Sequence, residues 1–186
     1  LILVAGGSGT RMKSELPKQF LRLDDKPVIL HTLSVFYRYN NFIKPIIVLP
    51  AEHFSMWELI CHEFKCTIPH KVVVGGKTRF HSVQNGLKEI KESGLVAVHD
   101  AVRPLVSEKT IARCFELAKK KQAVVPVVEV SQSLRKTEGE KNIAVNRADY
   151  CLVQTPQVFD ITLLKNAYKT PYNEADKYRI HNNIRI

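Results

Sequence analysis

The sequence predicts an α/β fold: a mostly parallel sheet flanked by helices, with a projecting β-hairpin arm. Three observations lead there. Short apolar runs alternate with amphipathic stretches almost throughout the 186 residues, the pattern of strands covered by helices. Glycine-bearing and charged segments fall directly after those runs, where parallel sheets bind ligands. One stretch, 129–147, abandons the alternation for two short runs around Glu138-Gly139 and reads as the hairpin.

In chain order, Leu1-Ile2-Leu3-Val4-Ala5 has the length and branching of a buried strand. The spacing then predicts a helix over His31–Tyr39, a strand at Ile46–Leu49 and a helix over Glu52–Phe64. A strand at Val72–Val74, a helix over Phe80–Glu92 and a strand at Leu95–Val98 follow. Thr110–Lys121 reads as a helix whose closing lysines suit its carboxyl end, and Ala123–Val125 as a strand. The 129–147 hairpin has too little apolar content to stand alone in water, so packing on a second copy, and hence a homodimer, is expected. Tyr150–Val153 reads as a strand and Gln154–Phe159, with its proline, as a turn. Near the end, Tyr178/Ile180 and Ile184/Ile186 suggest strand pieces with connecting residues absent.

Composition bounds the function. A single domain over 1–186, with 45% hydrophobic residues, can build a real core. No apolar run approaches the ~20 residues that cross a bilayer, and nothing resembles a cleavable signal peptide, so no membrane role is expected. The chain opens on Leu1 rather than Met, so further residues are expected upstream. The formal charge of +10 suits acidic ligands, but Lys and Arg are spread rather than clustered, and nucleic acid is not an expected partner. Cys61, Cys66, Cys114 and Cys151 show no C-x-x-C spacing, which fits a reduced, cytoplasmic chain.

Four segments carry candidate chemistry. After the first strand come Gly6-Gly7-Ser8-Gly9, then Arg11 and Pro17-Lys18. Glycines present bare backbone N–H groups to an anion, and two cations just beyond suit a polyphosphate. The pattern is neither G-x-G-x-x-G nor the P-loop. Gly75-Gly76-Lys77-Thr78-Arg79, with Ser82 in the next helical turn, offers amides and a hydroxyl that can read a base edge. His99-Asp100-Ala101-Val102-Arg103-Pro104 places a carboxylate at a strand end, suited to Mg²⁺, and an arginine able to clamp phosphate. His99 is read as structural. Gln154-Thr155-Pro156-Gln157-Val158-Phe159 says only "turn". Each of the first three, taken alone, is equally an ordinary loop: a tight strand-to-helix turn, a routine helix start, or a local Asp–Arg ion pair.

Together, A-G-G-x-G-x-R-M…P-K-Q-F, G-G-x-x-R-x-x-S-V, H-D-A-x-R-P and T-P-Q-x-F, in this order, resemble the 2-C-methyl-D-erythritol 4-phosphate cytidylyltransferases of the isoprenoid pathway. The resemblance covers essentially the whole chain. It implies a Rossmann-like nucleotidyltransferase domain, a homodimer joined by an exchanged arm, and Mg²⁺-dependent transfer of CMP from CTP to a polyol phosphate. By position, Arg11 and Lys18 match the catalytic cations, and Ala5, Gly6, Gly7 and Gly9 the phosphate loop. Gly75, Gly76 and Ser82 match the cytosine-reading segment. Asp100, Ala101 and Arg103 match residues lining ribose, metal and acceptor, with Asp100 the metal ligand. Ser133, Arg147 and Arg185 match acceptor-binding positions, Arg147 reaching into the partner's site. Three departures stand out: Gln132 where the family usually has Asp, Arg185 for a usual Lys, and no T-D-[DE]-A-S segment after Asn173. The alternatives are a ribitol 5-phosphate cytidylyltransferase on the same motifs, a sugar-nucleotide pyrophosphorylase, which leaves the second and third motifs unexplained, or a non-catalytic nucleotide-binding module.

Overall fold

The computed structural model describes residues 1–6 and 16–169. Its elements in chain order are β1 (Ile2–Val4), β2 (Arg22–Leu23), β3 (Lys26–Pro27), α1 (Val28–Tyr39), β4 (Ile46–Leu49) and α2 (Phe54–Glu63). Then come β5 (Lys71–Val74), α3 (Arg79–Lys88), β6 (Leu95–Asp100), α4 (Glu108–Lys121) and β7 (Ala123–Val124). β8 (Val127–Glu129), β9 (Leu134–Glu138), β10 (Lys141–Val145), β11 (Cys151–Val153), β12 (Gln157–Asp160) and α5 (Ile161–Ala167) complete it.

Six strands form one sheet in the order β5-β4-β1-β6-β12-β7. β5, β4, β1 and β6 run parallel, whereas β12 runs antiparallel to both β6 and β7. Period-two alternation sorts the side chains between the two faces. Ile2, Val48, Val96, Val98 and Phe159 pack under α3 and α5 with Val83, Leu87 and Leu164. Leu3, Ile47 and Leu49 pack under α1 and α2 with Ile29, Leu33 and Trp57. Ala97 and Val158 meet α1 and α4 through Phe36, Ile111 and Cys114. Both faces are covered, which is why the strands read as continuous apolar runs.

Gly86 sets how deeply α3 sits. A Cβ there would stand 3.0 Å from Ile2 Cγ2 and 3.3 Å from Val48 Cγ2, so the helix rides directly on β1 and β4. Its amino end is thereby held beside the end of β1. Thr78 caps that end by accepting from the His81 N–H at 3.4 Å. Ser107 caps α4 and Asp160 caps α5 in the same way. α4 closes on Gln122 in the left-handed region, at φ 63°.

Element boundaries differ from the sequence pattern where caps and turns decide them. The helix expected from Glu52 opens as a 3₁₀ turn over Ala51–His53 before α2, and α3 stops at Lys88, short of the expected Glu92. The larger difference is β12. Gln157, Val158 and Phe159, expected in a turn, are buried in an interior strand of the sheet, between β6 and β7, and the turn is confined to Thr155-Pro156, whose peptide bond is cis. The strand expected at Tyr150–Val153 lies outside that sheet as β11, paired with β8. The 129–147 hairpin, β9 paired with β10, is thus the outer part of a longer excursion that leaves after β7 and returns at β12. All four cysteines are free thiols. Among the described residues, no helix is long and apolar enough to cross a membrane.

Candidate functional site

Polar groups gather at the carboxyl ends of β1, β5 and β6, the ligand-binding end of such a sheet. Lys18 is placed by its neighbours. Pro17 leads into a 3₁₀ turn over Lys18–Phe20. Gln19 is buried, and its Nε2 donates to the Ala5 carbonyl at 2.9 Å. Phe20 is buried edge-on against His53, ring centroids 5.7 Å apart. The exposed Lys18 is therefore pinned on its carboxyl side to the end of β1, beside Gly6. Sequence reasoning saw a stiff stretch here; the anchoring role of Gln19 is visible only once β1 and the turn lie side by side.

The glycine segments after β1 and β5 meet at Ser82. Its buried hydroxyl accepts from the Gly76 N–H at 3.1 Å, and a Cβ on Gly6 would stand 3.5 Å from that oxygen. The Gly75 N–H is tied to the Leu49 carbonyl at 2.8 Å. Gly76 has the least room. A Cβ there would lie 2.3 Å from His81 Cβ and 2.9 Å from the His81 carbonyl carbon, so only glycine allows this loop to close on α3.

Asp100, last residue of β6, carries two arginines. Arg79 donates to Oδ1 from Nε at 3.2 Å and from Nη2 at 3.1 Å. Arg103 donates to Oδ2 from Nε at 3.0 Å, and its Nη1 donates to Gln154 Oε1 at 2.6 Å. Ala101 is fully buried, its N–H bound to the Val4 carbonyl at 3.0 Å and its own carbonyl to the Thr32 hydroxyl at 2.8 Å. It fixes the loop to β1 and α1. A cleft of about 550 Å³ opens beside Arg103, between Leu105, Val127, Val128 and Gln154. Arg79 and Gln154 were given no role from sequence. Arg79 stands in the G-G-x-x-R segment, but nothing in one sequence reveals that it reaches Asp100.

His99 is also fully buried, edge-on to Phe36 at 4.9 Å. Its Nε2 faces the Arg103 carbonyl at 3.1 Å, so Nε2 carries the proton and donates. Nδ1 has no partner among the described residues. Burial holds the imidazole neutral and pushes its pKa down to about 4 from 6.5. Between those values the unfolded chain binds a proton that the folded chain refuses, so stability falls as pH drops through that window and is retained above it. From pH 6.5 to pH 5 the loss is about 2 kcal/mol. Urea unfolding of the wild type should show that extra acid sensitivity relative to His99→Gln, whose amide can still donate to the Arg103 carbonyl. Parallel pH curves for the two proteins would contradict it.

The arm residues stand apart. Ser133 and Arg147 are exposed, and the Arg147 Nη1 donates to the Ser131 carbonyl within the arm. Among the described residues, no hydrogen bond joins them to the Asp100 cluster. Gly7, Gly9, Arg11 and Arg185 lie outside the described residues. A cavity of about 760 Å³ lies at the opposite, amino end of the sheet, beside Leu1, Phe42, Pro69 and Ile90, and brings together none of the candidate residues.

The sequence model of the IspD family, 2-C-methyl-D-erythritol 4-phosphate cytidylyltransferase, matches residues 1–181. This chain belongs to that family. A 2-C-methyl-D-erythritol 4-phosphate cytidylyltransferase of Bacteroides thetaiotaomicron is 50% identical over 168 residues, covering 90% of this chain and 77% of the relative. One from Porphyromonas gingivalis is 47% identical over 173 residues, covering 93% and 77%. Among solved structures, the 4-diphosphocytidyl-2C-methyl-D-erythritol synthase of Anaerococcus prevotii superposes with a TM-score of 0.81 at 25% identity, over 97% of this chain and 79% of that one. The cytidylyltransferase of Thermus thermophilus gives 0.74 at 29%, over 97% and 82%. The mixed, mostly parallel sheet is the nucleotidyltransferase fold of these cytidylyltransferases, as the motifs implied.

Proposed function

We propose that this chain transfers CMP from CTP to the phosphate of 2-C-methyl-D-erythritol 4-phosphate, releasing pyrophosphate, as a step of isoprenoid precursor biosynthesis. The family match over residues 1–181 carries the reading. A phosphate oxygen of the acceptor attacks the α-phosphorus of CTP, the P–O bond to the β-phosphate breaks, and its electron pair leaves with pyrophosphate. A phosphate monoester is largely dianionic near neutral pH, so the attacking oxygen needs no general base. The barrier is electrostatic, an anion approaching a polyanion, and fixed cations lower it.

Lys18, with Arg11, offsets charge on the triphosphate. The glycine segments around Gly6 and Gly76 let the nucleotide approach the backbone, with Ser82 fixing their shape. Arg103, opening on the cleft beside Gln154, holds the acceptor phosphate with Ser133, Arg147 and Arg185.

Asp100 offers Mg²⁺ a hard oxygen donor at a strand end, its side chain 25% exposed, but only through the lone pairs that Arg79 and Arg103 leave unused on Oδ1 and Oδ2. Among the described residues no group of three His, Cys, Asp or Glu could hold a metal, so the remaining ligands would be substrate phosphates and water, the usual arrangement for this ion. When bound, Mg²⁺ neutralises charge spread over the phosphates.

A homodimer completes the proposal. Val127 and Val128 of β8 and Leu152 and Val153 of β11 leave between 42% and 53% of their surface exposed, an apolar ribbon that a second copy would cover. Arg147 would then act in the partner's site.

The test is pyrophosphate release with CTP, Mg²⁺ and one polyol phosphate at a time. Release with 2-C-methyl-D-erythritol 4-phosphate and not with ribitol 5-phosphate is expected. Preference for ribitol 5-phosphate, or silence with both, would overturn the assignment.

A further inference from the structure

Asp100 binds two arginines, of which Arg103 lines the cleft beside Gln154. Arg103 lies on the side of Gln154 and the root of the arm. Arg79 lies on the side of the glycine segments. It is the first residue of α3, three positions before Ser82, the residue at which the Gly6 and Gly76 segments meet.

The hydrogen bonding leaves Arg79 half engaged. Nε and Nη2 share one carboxylate oxygen, and Nη1 makes no hydrogen bond among the described residues. Its side chain is 43% exposed, so the free edge of the guanidinium faces solvent at the carboxyl ends of the strands. One carboxylate serves two guanidiniums, so the trio keeps a net charge of +1. A guanidinium held by one edge to a carboxylate, with its other donors directed outward, is aimed at a planar or tetrahedral oxyanion.

We propose that Arg79 is a further phosphate-binding residue, aimed by Asp100 at the phosphates of the nucleotide rather than at the acceptor. Its position on the glycine-segment side of Asp100 selects the nucleotide, and the Arg103–Gln154 contact assigns the opposite side to the acceptor. Asp100 is then the counter-ion shared by two anion sites. This rests on the reading of the site as a CTP site.

The test pairs CTP binding by calorimetry, which needs no acceptor, with steady-state kinetics. Arg79→Gln removes the charge while keeping a side chain of similar polarity. Loss of one charge-assisted hydrogen-bonding group should weaken CTP binding and raise its KM by about 10- to 100-fold. The acceptor KM should stay within about twofold. Arg79→Lys, a cation without the fork, should recover part of the loss. Urea unfolding should be nearly unchanged, because an ion pair this exposed adds little stability.

Unchanged CTP affinity in Arg79→Gln, or a rise in acceptor KM alone, would overturn the proposal. So would a CTP defect that Arg79→Lys leaves uncorrected. If wild-type protein binds CTP but releases no pyrophosphate with the methylerythritol phosphate, the acceptor assignment fails and the Arg79 result still stands. If the wild type does not bind CTP, both fall.

Discussion

Lys18→Ala should lower kcat by about 10²–10³-fold, the usual loss when one preorganised donor to a developing charge is removed. The fold should survive. Everything that holds the turn lies next to Lys18 rather than in it: Gln19 on the Ala5 carbonyl and Phe20 against His53. The side chain itself is exposed, so its truncation removes little buried surface. Thermal melting should therefore be close to wild type while turnover collapses. Lys18→Arg should recover little, since a planar fork does not reproduce a compact ammonium. A kcat within a few-fold of wild type would remove Lys18 from the chemistry and return it to the solvated surface.

Gly76→Ala should damage nucleotide binding and stability together. The added methyl meets His81 Cβ at 2.3 Å and the His81 backbone at 2.9 Å, and backbone cannot swing away as the tip of a side chain can. The segment must shift, and the hydrogen bond from the Gly76 N–H to Ser82 must stretch or break. Overpacking of this kind costs about 1–3 kcal/mol. The KM for CTP should rise about tenfold or more, from a displaced loop that no longer meets the base. Gly75→Ala is the control. Its methyl finds Ser82 Oγ at 3.4 Å and the Leu49 carbonyl oxygen at 3.5 Å, contacts that small adjustments absorb. Equal effects at the two glycines would show that general loop stiffness, not the collision with His81, governs this segment.

The parallel part of the fold was legible because burial on both faces leaves a plain signature. Ile46–Leu49 and Leu95–Val98 are apolar throughout and sit in the middle of the sheet. Val158 and Phe159 were not legible, because two apolar residues after a proline look the same in a turn as in a central strand. Their placement is decided by pairing with β6 and β7, partners far away in sequence. The site divides the same way. Glycines and charged residues just after strands made Lys18, Gly76 and Asp100 candidates from sequence, for a polyphosphate, a base edge and Mg²⁺ respectively. Arg79, Gln19 and Gln154 escaped notice, since each matters through a partner 14 to 51 residues away. Ala101 shows the converse: a motif position whose polar backbone is already committed to Val4 and Thr32.

The order of the sheet also bears on how the chain is made. β5, β4, β1 and β6 can pair as soon as Asp100 has been synthesised, but the second edge of β6 stays bare until Gln157–Asp160 emerges. At ordinary ribosomal speeds that wait lasts on the order of several seconds. Throughout it, an apolar edge with open backbone donors and acceptors is displayed, the kind of surface that captures other chains. What emerges next is α4, whose Ile111, Cys114 and Ala118 pack against Phe36 and Ala97 over one face. The arm that follows carries Arg135, Lys136, Glu138, Glu140 and Lys141, a strongly charged stretch ill suited to filling the gap. Residues 123–128 and Cys151–Val153 also emerge before β12, so until the correct strand arrives the β6 edge is open to apolar stretches of its own chain as well as to others.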